Sequence, residues 1–317
     1  MLIMPESLPV IESTRYVVEH SDHVRINKEA ARQMLLRGEV NATWYPDLHL
    51  ADPDWIFVLD ALNFCFWADP NRAKWSIEYG GEALSGYWAL AASLKRAHEE
   101  GMPLTNAEFL ATISSKTVAK IFRGTETIPL LQERVHHLRE VGRILLDEYD
   151  GTFVNLLQKV QRSAVKLVEE VVSHFPSFND IATYKGKTVC LYKRAQLLVA
   201  DLHGAFEGEG YGDFTDLNQL TIFADYKLPQ VLRHYRVLEY DRHLATLVDT
   251  CQPLAPGSAE EVEIRAATVQ AGEIMRQSLA QRGCQIPAFK LDWWLWTLGQ
   301  NDAAREKPYH RTRTVFY

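Results

Sequence analysis

Tyr184-Lys185-Gly186-Lys187-Thr188-Val189-Cys190-Leu191-Tyr192-Lys193-Arg194-Ala195-Gln196-Leu197-Leu198-Val199-Ala200-Asp201-Leu202 changes its pattern half-way along. The first part sets a Lys-Gly-Lys turn before a β-branched apolar run, which predicts a short hairpin or strand, a small β element near 184–192. From Lys193 the residues are strong helix formers and mostly apolar, which predicts a helix. Gly204 to Gly212 ends it in a loop with four glycines. A short helix is expected from about Thr215. Phe223-Ala224-Asp225-Tyr226-Lys227-Leu228-Pro229-Gln230 then turns the chain into another, on which Leu228, Val231, Leu232, Tyr235 and Leu238 recur at helical spacing.

Outward from this stretch, helical patterns prevail. Towards the N-terminus, Tyr16-Val17-Val18 reads as a short extended piece, and Asn27 to Arg37 as a helix closed by Gly38. Trp44 to His49 reads as loop. Trp55 to Trp67 is an uninterrupted aromatic and apolar run, expected as a buried helix on which Asp60 and Asn63, three apart, share a face. Asp69-Pro70-Asn71 turns the chain, Trp75 to Gly81 is hairpin-like or extended, and a helix starts at Tyr87. Thr105 with Glu108 makes a capping-box pattern, and further helices are expected near Ser115 and Pro129. The latter holds His136 and His137, adjacent and so divergent, which reads as surface or partly buried and not as a ligand pair.

Thr152 to His174 repeats Phe153, Leu156, Val160, Ala164, Leu167 and Val171 on one stripe, an amphipathic helix. A helix should run to about Asp249, Pro253 to Gly257 is the most linker-like segment, and Ser258 with Glu261 opens a helix to about Ala280. Leu291 to Trp296 is a further aromatic helix, and Tyr309 to Tyr317 combines a basic patch with an apolar tip, which suggests docking. With no alternating βαβ pattern, the fold class is mainly α. Residues 1–317 are taken as a single domain, undivided or built as two closely packed helical lobes.

Composition excludes several classes. The chain of 317 residues is 47% apolar and 24% charged, ordinary for a globular protein. A net charge of -7 argues against a nucleic-acid partner, whose backbone demands a basic footprint. Cys65, Cys190, Cys251 and Cys284 are scattered without paired spacing, which points to reduced thiols in a cytoplasmic protein. Neither Cys-x-x-Cys nor His-Glu-x-x-His occurs, so no metal and no cofactor is expected. Met1 to Val10 does not read as a signal peptide, and no apolar run approaches membrane-spanning length.

Among polar residues, Asp225 stands just before a helix start, where spacing alone favours an N-cap over catalysis. The roles are compatible, because a capping carboxylate is ionised and rigidly held, as a reaction building positive charge requires. Lys193 and Asp201 lie eight apart on one predicted helix, and by pattern a lysine opening an apolar helix is solvated or snorkels.

A resemblance shifts that balance. The words Lys193 to Asp201 and Phe223 to Gln230, with Asp60-Ala61-Leu62-Asn63-Phe64-Cys65-Phe66-Trp67 and the terminal His310-Arg311-Thr312-Arg313, together resemble the queuosine salvage family, the queuosine 5′-monophosphate N-glycosylases. The similarity runs from near Tyr16 to Tyr317. It implies a helical fold loosely related to helix-hairpin-helix DNA glycosylases, although the chain lacks that motif's glycine-rich hairpin. It also implies hydrolysis of queuosine 5′-monophosphate to queuine and ribose 5-phosphate.

On that footing Asp225 is expected to face the anomeric carbon, stabilise its positive charge and orient or deprotonate water. Lys193 is expected either to hold Asp225 ionised or to touch ribose or phosphate oxygens, with covalent attack as a third role. Asp60, Asn63 and Trp88 are assigned to the base, with Phe64, Asp201 and Tyr226 as further substrate contacts. Lys227, Arg311 and Arg313 are candidates for the 5′-phosphate. The small-molecule nucleotide is the partner expected, with no membrane and no obligate protein partner. Two readings compete, a DNA base-excision glycosylase and a non-catalytic queuine carrier.

Overall fold

The computed structural model describes residues 7–35, 48, 50–300 and 307–317, and helices dominate it. In chain order the first elements are α1 (Val10–Glu19), β1 (Val24–Ile26), α2 (Lys28–Met34), α3 (Pro53–Ala61), β2 (Ser76–Tyr79) and β3 (Glu82–Ser85). Six helices follow, α4 (Tyr87–Glu99), α5 (Ala107–Thr112), α6 (Ser115–Ile121), α7 (Leu131–Glu148), α8 (Phe153–Lys159) and α9 (Ala164–His174). The chain continues through β4 (Ile181–Tyr184), β5 (Lys187–Cys190), α10 (Lys193–Ala205), α11 (Lys227–His234) and β6 (Leu238–Tyr240). It closes with α12 (Arg242–Asp249), α13 (Ala259–Ala280) and α14 (Ala288–Leu298).

The strands form small antiparallel pairs, β1 with β6, β2 with β3 and β4 with β5. The hairpin expected from Lys-Gly-Lys is β4–β5, turning at Lys185 and Gly186, both at positive φ. The chain divides into two units. Of the described residues, the first holds 7–35, 180–196, 216–300 and 307–313, and the second holds 48, 50–179, 197–215 and 314–317.

In the first unit α13 packs against α1, α2, α11 and α14. Ile222, Val231, Leu244, Ala271 and Met275 lie in its core. Tyr16-Val17-Val18 is not extended but belongs to α1. Its β-branched residues are overruled by burial, because Val10, Thr14 and Val17 fall on one helical face and the helix packs on α13. Asn27 caps α2 by accepting the Ala30 N–H, and Arg37, Gly38 and the Trp44 to His49 loop, Leu48 excepted, lie outside the described residues. Leu238 does not continue α11. That helix ends at His234, Arg236 takes φ 60, and Leu238 pairs with Ile26 in a strand. Beyond Thr215 there is only a 3-10 turn, Leu217–Gln219.

The second unit has an aromatic core. Phe57 stacks on Phe153 at 4.2 Å and on Phe178 at 5.4 Å, with Phe175 edge-on. At the crossing of α5 and α7, Gly142 allows backbone contact, since a Cβ there would lie 2.2 Å from the Ala111 nitrogen. The stripe from Thr152 to His174 is two helices. Gln161 and Arg162 take φ 51 and 66, and Thr152 and Ser163 each cap a helix of their own. Asn106, not Thr105, caps α5. The aromatic run stops being helical at Ala61, so Asp60 and Asn63 do not share a helix. His137 is buried rather than superficial, with Nδ1 3.1 Å from the Ala61 carbonyl oxygen, whereas His136 is exposed.

Candidate active site

In the first unit the segment 221–225 is held almost residue by residue. Thr221 donates its N–H and hydroxyl to Gln196 Oε1 at 2.9 and 3.1 Å. Phe223 N–H reaches Asp292 Oδ1 at 2.7 Å, and the Ala224 carbonyl accepts from Arg265 Nε at 3.0 Å. Paired on one side like this, an irregular segment becomes as fixed as a strand.

The segment delivers Asp225 to the start of α11. Its Oδ1 accepts the Lys227 and Leu228 N–H groups at 2.7 and 2.9 Å, so Asp225 caps the helix as its position predicts. Its Oδ2 accepts no hydrogen bond among the described residues. One oxygen fixes the carboxylate to the helix, and the other takes no part in the cap. Asp225 keeps contact with solvent, yet lost hydration pushes its carboxyl above the usual range, against the pull of the Lys193 charge, the two backbone N–H groups and Lys227.

Lys193 is buried at the head of α10, where its N–H donates to Asp180 Oδ2 at 3.3 Å. The Tyr226 and Tyr309 rings lie 4.9 Å apart. Lys227 Nζ and the Arg311 guanidinium both face the Tyr309 ring, at 5.4 and 5.7 Å from its centre. Lys227 and Arg311 therefore share one aromatic platform, while Arg313 is exposed.

The second unit gathers the remaining candidates. Asp60, in the last turn of α3, and Asp201, in α10, are both buried. Both act on Tyr87, whose hydroxyl is driven well above its ordinary pKa by burial first and then by the Asp201 and Asp60 charges. Tyr87 opens α4 with Trp88, their rings 5.5 Å apart and edge to face. Asn63 is buried in the loop after α3. Arg134 on α7 grips that loop, donating to the carbonyls of Leu62, Phe64 and Cys65. The Phe64 ring is fully buried, 4.2 Å below the guanidinium and 5.0 Å from His137.

Asp180, Gln196, Arg265, Asp292, Tyr87 and Tyr309 were not singled out from sequence. Arg265 had a partial signal, because Val262, Ile264, Ala266 and Val269 flank it on the helix, but Glu261 and Glu263 interrupt the apolar run. Among the described residues no group of three or more His, Cys, Asp or Glu could hold a metal ion. Nor is any helix among them long and apolar enough to cross a membrane.

A family model described as queuosine salvage protein matches residues 47–317. A queuosine 5′-phosphate N-glycosylase/hydrolase of Sphaerobacter thermophilus is 48% identical, covering 98% of each chain. Proteins of the same description from Mus musculus and Schizosaccharomyces pombe are 38% and 32% identical. These alignments cover 96% and 97% of this chain, and 98% and 99% of the relatives.

Proposed function

Because the chain belongs to the queuosine salvage protein family, we propose that it hydrolyses the N-glycosidic bond of queuosine 5′-monophosphate, releasing queuine and ribose 5-phosphate. The observation that carries the catalytic assignment is the divided carboxylate of Asp225, Oδ1 locked by two backbone N–H groups and Oδ2 left open.

As the C1′–N bond breaks, positive charge grows on the sugar. Asp225 meets that charge and takes a proton from the water that forms the new C1′–O bond. The departing base has carbon where a purine has N7, so it is met by hydrogen bonds elsewhere on the ring and collects its proton there. Lys193 keeps Asp225 ionised, a role its opposing effect on the Asp225 carboxyl supports. Lys227 and Arg311 take the 5′-phosphate beside Tyr309, with Tyr226 completing the platform and Arg313 approaching from the surface.

For the base, Trp88 offers a stacking face and Asn63 hydrogen bonds. Asp60 and Asp201 receive the cationic aminomethyl arm, and the two negative charges felt by Tyr87 favour a cation there. Phe64 serves through the loop that it helps to fix. The proposal includes one functional domain over 1–317, a relationship to helix-hairpin-helix DNA glycosylases and a cytoplasmic location. The helix-rich architecture and four cysteines without a disulfide are compatible with these.

Asp225→Asn tests the assignment. Asparagine caps as well as aspartate, so the variant should melt no lower than the parent and still bind nucleotide. Its kcat should fall by more than about 10²-fold. Queuine release near the parent rate would remove Asp225 from the mechanism, and nucleotide binding without release by the parent itself would make the protein a carrier.

A further inference from the structure

Arg265 takes no part in the chemistry above, yet its bonds end beside both residues that do. Nη1 and Nη2 donate to Asp180 Oδ1 and Oδ2 at 2.9 and 2.5 Å, and Nε donates to the Ala224 carbonyl at 3.0 Å. Ala224 is covalently joined to Asp225. Asp180 in turn takes the Lys193 N–H on Oδ2, and its own carbonyl accepts Leu191 and Tyr192 N–H at 3.0 and 3.2 Å. Tyr192, the residue before Lys193, is held there at φ 49, where a non-glycine residue stays only under constraint.

We propose that Arg265 and Asp180 form a positioning clasp, one buried ion pair that sets the separation and orientation of the Lys193 ammonium and the Asp225 carboxylate. Neither residue touches the nucleotide. This inference rests on Asp225 and Lys193 acting as assigned above.

The chemistry of arginine suits the task. A guanidinium is a flat fork whose N–H directions are fixed relative to one another, so holding Asp180 with one edge fixes where Ala224 must lie on the other. Both partners are 2% exposed, so neither water nor salt loosens the pair. Lysine at 265 could keep the charge but not the fork.

A clasp and a merely stabilising pair predict different pH behaviour. The charges that act on Asp225 are Lys193 from α10 and Lys227 from α11. Around the clasp stand Glu261, 3.4 Å from Arg265 Nη1, and His310, which feels the Arg265 charge. If Lys193 drifts, Asp225 loses the charge that opposes its desolvation, and the acid limb of kcat/KM moves to higher pH.

The test compares full-length Arg265→Lys and Asp180→Asn with Glu263→Gln. Glu263 lies on the same helix and is buried, accepting Ser21 Oγ, the N–H groups of Asp22, His23 and Val24, and the Tyr184 hydroxyl. It accepts no hydrogen bond from Asp180, Lys193, Arg265 or residues 224–225. Queuine release from queuosine 5′-monophosphate is followed across pH, alongside thermal melting. Both clasp variants should lose about 10²-fold in kcat with KM moved by less than about threefold, and their acid limb should shift upward.

Glu263→Gln should lower the melting temperature at least as far yet keep kcat and the acid limb. Asp180→Asn preserves shape, so a folded variant is available if Arg265→Lys does not fold. Clasp variants that melt lower but retain kcat and the acid limb overturn the proposal, as does an equal kcat loss in Glu263→Gln. With Asp225→Asn inactive in the same series, such a result removes the clasp alone and leaves the catalytic assignment standing.

Discussion

Arg134 in the second unit and Arg265 in the first are both buried, and each donates to backbone carbonyls next to candidate site residues. Their other partners differ. Arg265 shares its charge with the carboxylates of Asp180 and Glu261. Arg134 lies between the carbonyls of Pro129, Leu62, Phe64 and Cys65 and the faces of Phe64 and Phe66. The difference follows what each loop must do. On the proposal that Asp225 faces a cationic sugar, a further unneutralised charge at Arg265 would oppose that cation, and Asp180 and Glu261 neutralise it. At the loop after α3 the guanidinium of Arg134 is used for its donors, which reach the carbonyls of Leu62, Phe64 and Cys65.

The most damaging change on this view is Arg134→Met. It removes the charged donor from the carbonyls of Leu62, Phe64, Cys65 and Pro129, and each hydrogen bond to a charged group contributes about 1.5–3 kcal/mol, so a loss of at least about 3 kcal/mol is expected from denaturant unfolding. A variant within about 0.5 kcal/mol of the parent would show that Arg134 does not bear the loop, and the parallel with Arg265 would break.

Next in size comes a contrast in kinetics. Asp201→Asn removes one of two charges proposed to hold the aminomethyl arm in ground and transition state alike, so KM should rise about tenfold with kcat little changed. The 7-deazaguanine nucleotide lacking that arm should be turned over equally by parent and variant. Asp225→Asn, by contrast, should lose kcat. An Asp201 variant that loses kcat instead would make the role of Asp201 one in the chemistry and not one in binding.

How far the sequence foretold this arrangement differs between the two units in an instructive way. The hairpin, the start of α10 and the capping role of Asp225 were legible because each rests on local chemistry, a glycine turn, a run of helix formers, a carboxylate before a helix. Asp180 was not, because its significance comes from Arg265, 85 residues away. Tyr87 acquires its character from burial first and then from Asp201 and Asp60, on two other helices. The Thr152 to His174 stripe misled for the converse reason. Two helices that bury the same side keep an apolar repeat going through a break, and periodicity reports burial before continuity.

The smallest effect concerns His310, whose side of the comparison is charge beside the clasp. It is buried, and burial together with the Arg265 charge pushes its imidazole down to about 3. An unfolded histidine titrates near about 6.5. As pH falls below that value the unfolded chain binds a proton that the folded chain refuses until about 3, so stability is lost progressively across this window and is unaffected above it. His310→Gln cannot take the proton. Melting temperatures from pH 7.5 to 4.5 should therefore decline less steeply in the variant than in the parent, while shared contributions from carboxyls such as Asp54 and Asp225 cancel in the difference. Parallel curves would mean that His310 takes its proton in the folded protein as readily as in the unfolded chain, which would set a second positive charge beside Arg265.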